Sequence, residues 1–237
     1  MTKKTIGKSV GALAAITLGL AVGVGPVLAA GGYSLFGDAT YVHPGFASPT
    51  AVQLRSSTVS PGYGGIDFNI PAGLTFSQIQ NLSTDFQFTA GSCGGGAPRF
   101  SINFGPNTNA FVYIGPPPNY SGCPQNVWAN TGNLATPPSF VDTSQLPGGT
   151  FYDTFAAADL KYGSDVVTGI QLVTDAAWLF GTQTVLVDNV MINDAAFTFE
   201  SKQSCKDGGW RQFTSSPGPF KNQGDCVSYF ATGATNG

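Results

Sequence analysis

The chain has 237 residues, only 10% of them charged, and its 10 lysines and arginines against 13 acids give a formal charge of −3. Phosphate binding needs clustered Lys and Arg, so this balance sets nucleic acid aside as a partner. One histidine, one glutamate, 32 glycines and 16 prolines leave little proton-shuttling chemistry and describe a turn-rich chain.

Residues 1–30 read as a secretory signal. Lys3, Lys4 and Lys8 precede the uncharged stretch 10–24, followed by Pro26 and the small-residue site Val27-Leu28-Ala29-Ala30. The alternative, a membrane-spanning helix, is weakened by Gly19, Gly23, Gly25 and Pro26 and by the lack of a charged stop-transfer flank. Cleavage after Ala29 or Ala30 removes three lysines and takes the formal charge to −6. The product is expected to be secreted or held at the cell surface.

From 33 to 200, short runs alternate apolar and polar residues between Gly, Pro, Asn and Ser, as antiparallel strands joined by turns do. Over 51–56, Val52 and Leu54 face one way, Gln53 and Arg55 the other. Ile66, Phe68 and Ile70 alternate with Asp67 and Asn69; Phe86 and Phe88 with Asp85 and Gln87; Phe100, Ile102 and Phe104 with Arg99, Ser101 and Asn103. These runs predict half-buried strands. Further strands are expected over 110–114, 166–174, 184–192 and 196–200, about eight or nine in all, which suits an all-β, two-sheet antiparallel jelly-roll-like sandwich. Around Asp188 and Asn189 the alternation breaks, so either both faces are buried or a bulge intervenes; both readings make the strand central. Short helices are expected over 75–82 and from a cap at Asp153 to about Tyr162, with Gly163 ending it. The Pro-rich 115–118 and the loop 126–147 are expected at the surface.

Four cysteines follow the signal, and an oxidising compartment makes two disulfides the default. Three pairings are possible. The shortest loops join Cys93 to Cys123 and Cys205 to Cys226, each stabilising by roughly 3–4 kcal/mol through restriction of the unfolded chain. A zinc site is disfavoured, because no Cys-x-x-Cys occurs and the single histidine, His43, is remote in sequence.

The chemistry available to a site is limited. His43 lies in Tyr-Val-His-Pro-Gly, a turn setting, and no Gly-x-Ser-x-Gly elbow accompanies it, so a serine-hydrolase triad is not expected. Two carboxylates suffice to hydrolyse a glycosidic bond, and Asp67, Asp85 and Asp188 are the candidates. Binding is easier to build. Asp85, Gln87, Arg99, Ser101 and Asn103 read as one polar face, with Tyr113, Tyr120 and Trp128 on a neighbouring strand or in loops around Cys123. Sugars favour such planar apolar surface with polar edges. The expected ligand-binding set is therefore Asp85, Gln87, Arg99, Asn103, Tyr113 and Trp128, the plain alternative being a hydrated sheet face with aromatics packed on loops.

Over 33–200 the strand series, closing on Thr-Val-Leu-Val-Asp-Asn-Val-Met-Ile at 184–192, resembles the last core strands of jelly-roll carbohydrate-binding modules. The likeness is sharpest at Val-Asp-Asn-Val. In such modules an aspartate there helps hold a structural calcium, so the resemblance implies Asp188 as a candidate calcium ligand and no other cofactor. The tail resembles a Cys-Lys-x-Gly-Gly-Trp … Phe-Lys-Asn-Gln-Gly-x-Cys-Val-Ser-Tyr-Phe element at the ends of many secreted bacterial proteins. It matches at Cys205, Lys206, Gly208, Gly209 and Trp210, then over 220–224 and 226–230. That resemblance implies export and a bacterial source and carries no activity.

A segment of about 30 residues is too small to bury a core alone, so a Cys205–Cys226 bridge supplies closure and Trp210, Phe213, Phe220 and Tyr229 supply apolar contacts. Lys202, Lys206, Arg211 and Lys221 make it the one locally basic part of an acidic protein, suited to an anionic envelope polymer. The expected organisation is a signal peptide over 1–30, a sandwich over 31–200 and a disulfide-stapled tail over 201–237. The expected function is an exported, non-catalytic binder of carbohydrate or another cell-surface component. A structural protein of the envelope and a glycoside hydrolase are the alternatives.

Overall fold

In the computed structural model, which describes residues 32–214 and 218–232, the alternating runs form two antiparallel sheets. The signal expected over 1–30 lies outside the described residues, as do 215–217 and 233–237 of the tail. Five strands make the first sheet, in the order β1 (Tyr33–Gly37), β4 (Gly64–Phe68), β9 (Gly169–Thr174), β6 (Arg99–Gly105) and β7 (Thr108–Tyr113). The second runs β2 (Ala39–Val42), β3 (Ala51–Ser56), β10 (Gln183–Ile192), β5 (Leu82–Ala90) and β8 (Ala129–Asn130), with β11 (Ala195–Phe197) also paired to β10. The chain is thus a two-sheet, jelly-roll-like sandwich.

Period-two alternation places one set of side chains from each sheet between them. Phe86, Phe88, Val185 and Val187 come from the six-stranded sheet, Phe100, Ile102, Ile170 and Leu172 from the five-stranded one, and all are buried. Burying each large apolar side chain stabilises by roughly 1.5–3 kcal/mol. Phe68 of β4 meets Phe197 of β11 at 4.7 Å between ring centroids, joining the two layers. β10 is central, flanked by β3 and β5. Its register against β5 shifts between Asp188 and Met191, and Asn189 takes φ 47°, so the broken alternation is a bulge.

Three local expectations are corrected. The helix expected over 75–82 is a single 3-10 turn, Phe76–Gln78; by Leu82 the chain has entered β5, where Leu82, Thr84 and Phe86 follow the strand period into the interior. Helix α1 (Phe155–Tyr162) is capped by Thr154, whose hydroxyl accepts from the Ala157 N–H at 3.1 Å. Asp153 is diverted: its carboxylate accepts from Lys161 Nζ at 2.8 and 2.9 Å and from the Thr143 hydroxyl at 2.5 Å. Finally, the loop 126–147 is not only surface, because it contains β8 and buries Leu134, Val141 and Leu146 in the core.

Both local disulfides form, Cys93–Cys123 and Cys205–Cys226, with Cα atoms 5.4 and 5.7 Å apart. The tail comprises 3-10 turns Lys202–Cys205 and Gly209–Gln212 and a helix, Gln223–Thr232. It has its own small core of Cys205, Phe213, Phe220 and Cys226, with Trp210, Tyr229 and Phe230 packed around it. A buried hydrogen bond, Thr50 Oγ1 to Ser204 Oγ at 2.7 Å, links it to the start of β3. Among the described residues no helix is long and apolar enough to cross a membrane.

Candidate functional site

The outward residues of the five-stranded sheet fall into cross-strand rows fixed by register. One row runs Tyr113, Arg99, Val173, Gly65 and Phe36; the next runs Phe111, Ser101, Gln171, Asp67 and Ser34; a third begins Asn109, Asn103 and Gly169. These rows floor an open groove of about 370 Å³, edged by Tyr63 and Gln145. Gly65 is needed here because the Phe36 ring lies across it: a Cβ on Gly65 would stand 2.3 Å from Phe36 Cζ. Phe36 and Tyr63 form an aromatic wall at one end, centroids 6.0 Å apart, and Phe111 stands at the other.

Charge in the groove is internally compensated. Arg99 holds Asp175 through two bonds of 2.6 and 2.7 Å and donates to the Gly96 carbonyl at 2.9 Å. Its guanidinium sits 4.6 Å above the Phe111 centroid, so the ion pair also orients that ring. Gln171 Nε2 donates to Asp67 at 2.5 Å and Asn109 Nδ2 to Gln145 at 3.1 Å. Among the described residues the side chains of Ser101 and Asn103 have no hydrogen-bond partner, which leaves hydroxyl and amide groups facing the groove.

Tyr113 shares the row of Arg99 but is built into the wall. Its hydroxyl donates to the Asp142 carboxylate, and burial followed by that bond holds its pKa well above the usual tyrosine range. Tyr120 packs on it at 4.8 Å and is itself pushed up to about 12, chiefly by burial.

The expected site residues therefore divide. Arg99, Asn103 and Tyr113 stand on the five-stranded sheet, whereas Asp85 and Gln87 lie on β5 in the other sheet and Trp128 immediately precedes its β8. The single polar face read from the sequence is corrected to two, because the chain changes sheets between β5 and β6 instead of turning back as a hairpin. On the second face Asp85 accepts from Asn130 Nδ2 at 2.8 Å and Asn189 Nδ2 at 2.9 Å, while Trp128 stacks on Phe46 at 5.4 Å.

Asp188 is wholly buried under the loop that carries Phe46. Its carboxylate accepts from the Ser48 hydroxyl at 2.5 Å, the Phe46 N–H at 2.9 Å and the Asn189 N–H at 2.8 Å. Burial nonetheless raises its pKa to about 6. Calcium requires several oxygens turned toward it, and what faces this carboxylate is a set of N–H and O–H donors. The residues present do not fit a calcium site, and among the described residues no group of three or more His, Cys, Asp or Glu is placed to hold a metal. Asp67 stands on the opposite sheet from Asp85 and Asp188, so the three carboxylates do not converge. His43 Nδ1 donates to the Pro49 carbonyl at 2.7 Å, within the same loop.

The sequence reading missed Phe36, Tyr63, Asn109, Phe111 and Gln171. Phe111 had a usable signal, since Ala110 and Val112 are inward by alternation and leave Phe111 outward beside Tyr113. Gln171 meets Asp67 across 104 residues, a pairing no local pattern announces.

No protein-family model matches the chain, and no curated protein matches it. Among solved structures, it is similar to the family 11 carbohydrate-binding module of the cellulosomal cellulase Lic26A-Cel5E of Clostridium thermocellum, at 16% identity over 68% of this chain and 85% of that one, TM-score 0.36. It is also similar to the xyloglucanase domain of NopAA, a type three effector from Sinorhizobium fredii, at 14% identity over 68% of this chain and 93% of that one, TM-score 0.33.

Proposed function

We propose that the protein is an exported, non-catalytic binder of neutral carbohydrate, held in the groove on the outer face of the five-stranded sheet. The observation that carries this reading is the placement of aromatic rings, Phe36 with Tyr63 and Phe111, at opposite ends of a polar floor of Ser101, Asn103, Asn109 and Gln171. Ring faces take the apolar face of a sugar while amides and hydroxyls bond its edges. Five strands at about 4.8 Å spacing span roughly 19 Å, room for an oligosaccharide segment and not merely one ring. Compensation of Arg99 by Asp175 favours a neutral chain over a charged one. Two disulfides and the basic-then-apolar start of the chain support export.

Hydrolysis needs two carboxyl groups flanking one bond. In the groove Asp175 is committed to Arg99 and Asp67 to Gln171, which supports binding without cleavage. A glycan array with the purified secreted protein and its Phe111→Ala variant tests the reading. Wild type is expected to retain a subset of neutral glycans and release no reducing sugar from them, with affinity about tenfold weaker in the variant. Silence of wild type on every glycan would favour a structural role in the envelope instead.

A further inference from the structure

The cations of the chain occur in two different situations. The sandwich has three, and each is held by a carboxylate: Arg55 by Asp38 at 3.0 Å, Arg99 by Asp175 at 2.6 Å and Lys161 by Asp153 at 2.8 Å. The tail has four, Lys202, Lys206, Arg211 and Lys221, all exposed, and among the described residues none is in an ion pair. Over 201–237 these four meet only Asp207 and Asp225, a net charge of +2, whereas over 31–200 the eleven acids and three bases leave −8.

We infer that the disulfide-closed tail is a docking surface for a linear polyanionic polysaccharide, separate from the groove and independent of what the groove binds. Single exposed ion pairs gain little in water, so four solvated cations make a poor trap for a small anion. A polymer with repeated carboxylates engages several at once and releases its condensed counterions. The cations are also held on an ordered frame. Lys202 and Lys206 flank or lie in the turn ending at Cys205, Arg211 lies in the second turn, and Lys221 precedes the helix that carries Cys226, its N–H bonded to Asp225 at 3.2 Å. Arg211 stands 4.9 Å over the Trp210 ring, which itself packs on the tail's core, so this guanidinium too is held in place.

A lipid surface fits less well. Among the described residues of the tail no large apolar side chain is exposed for insertion, because Phe213 and Phe220 are buried in its own small core. The acidic sandwich repels a polyanion, so the polymer is steered to the tail.

The test is binding of the whole secreted protein to immobilised polygalacturonate. Wild type is expected to bind at 50 mM salt and to weaken on the order of 10²-fold at 200 mM if all four cations engage a chain of duplex-like charge density. The quadruple variant Lys202→Gln, Lys206→Gln, Arg211→Gln, Lys221→Gln is expected to lose binding. The charge-conserving set Lys202→Arg, Lys206→Arg, Arg211→Lys, Lys221→Arg is expected to keep it. Unchanged melting and the absence of free thiols establish that both variants are folded. Binding of the neutralised variant as tightly as wild type, failure of wild type to bind, or capture by phosphatidylglycerol vesicles without capture by the polymer would each overturn the proposal. Neutral-glycan binding by the groove is read separately on the same variants and is expected to be unaltered.

Discussion

The two outer faces of the sandwich start from the same sequence pattern, polar residues alternating with core residues, and finish in opposite conditions. On the six-stranded sheet the carboxylates are used to hold the fold: Asp85 holds Asn130 and Asn189, Asp188 holds the 43–50 loop, and Phe46 of that loop packs on Trp128. On the five-stranded sheet the charges and two amides, Asn109 and Gln171, are matched, and Ser101, Asn103 and the aromatic ends are left toward an open groove. Alternation therefore tells which residues leave the core, and long-range pairing decides whether they are used up in holding the fold.

The largest effect is expected from removing the acceptor on which the covered face depends. Asp188→Ala leaves the Phe46 and Asn189 N–H groups without their carboxylate, while the Ser48 hydroxyl keeps the Thr50 carbonyl at 3.1 Å, and two unmet donors at about 1–3 kcal/mol each cost roughly 3 kcal/mol or more. Denaturant unfolding is expected to show that loss, with no comparable loss for Asn103→Ala on the open face.

A second effect is pH. The folded-state pKa of Asp188 is raised by burial to about 6 from 3.8, with Glu200 adding to the rise and the Ser48, Phe46 and Asn189 donors opposing it. The native state therefore holds this proton more tightly than the unfolded chain. The stability it contributes is fully present below about pH 4 and is lost as pH rises through about 6, by on the order of 3 kcal/mol across the window. Stability measured at intervals from pH 3.5 to 7 is expected to show this decline in wild type and a flatter curve in Asp188→Asn, which has no proton to release.

The smallest expected effect separates the faces by function. Phe46→Ala on the covered face is expected to leave neutral-glycan affinity within twofold of wild type, against the tenfold loss for Phe111→Ala. Isothermal titration on a glycan retained in the array gives both numbers. Equal losses in the two variants would mean that the faces are not functionally distinct.

Much of the fold was legible locally. The strand over 51–56 forms as β3 with those bounds, the break at Asp188 is a bulge, and both short-loop disulfides close. Sheet membership was not legible. Phe86 and Phe88 alternate just as Phe100 and Ile102 do, and nothing in the turn residues between them says that the chain crosses to the other layer. The expected binding set is split between the two sheets for that reason. The tail helix Gln223–Thr232 was hidden differently: Val227, Tyr229 and Phe230 favour strands by propensity, and packing against Phe213 and Phe220 with the Cys226 bridge imposes a helix on them.

The most direct test of the groove is a backbone amide chemical-shift titration of the labelled protein with a soluble neutral oligosaccharide. Saturable shifts are expected in β6, β7 and β9, centred on Ser101, Asn103, Phe111 and Gln171, with β5, β8 and β10 silent. Shifts confined to Asp85, Gln87 and the strands around Asp188 would contradict the account.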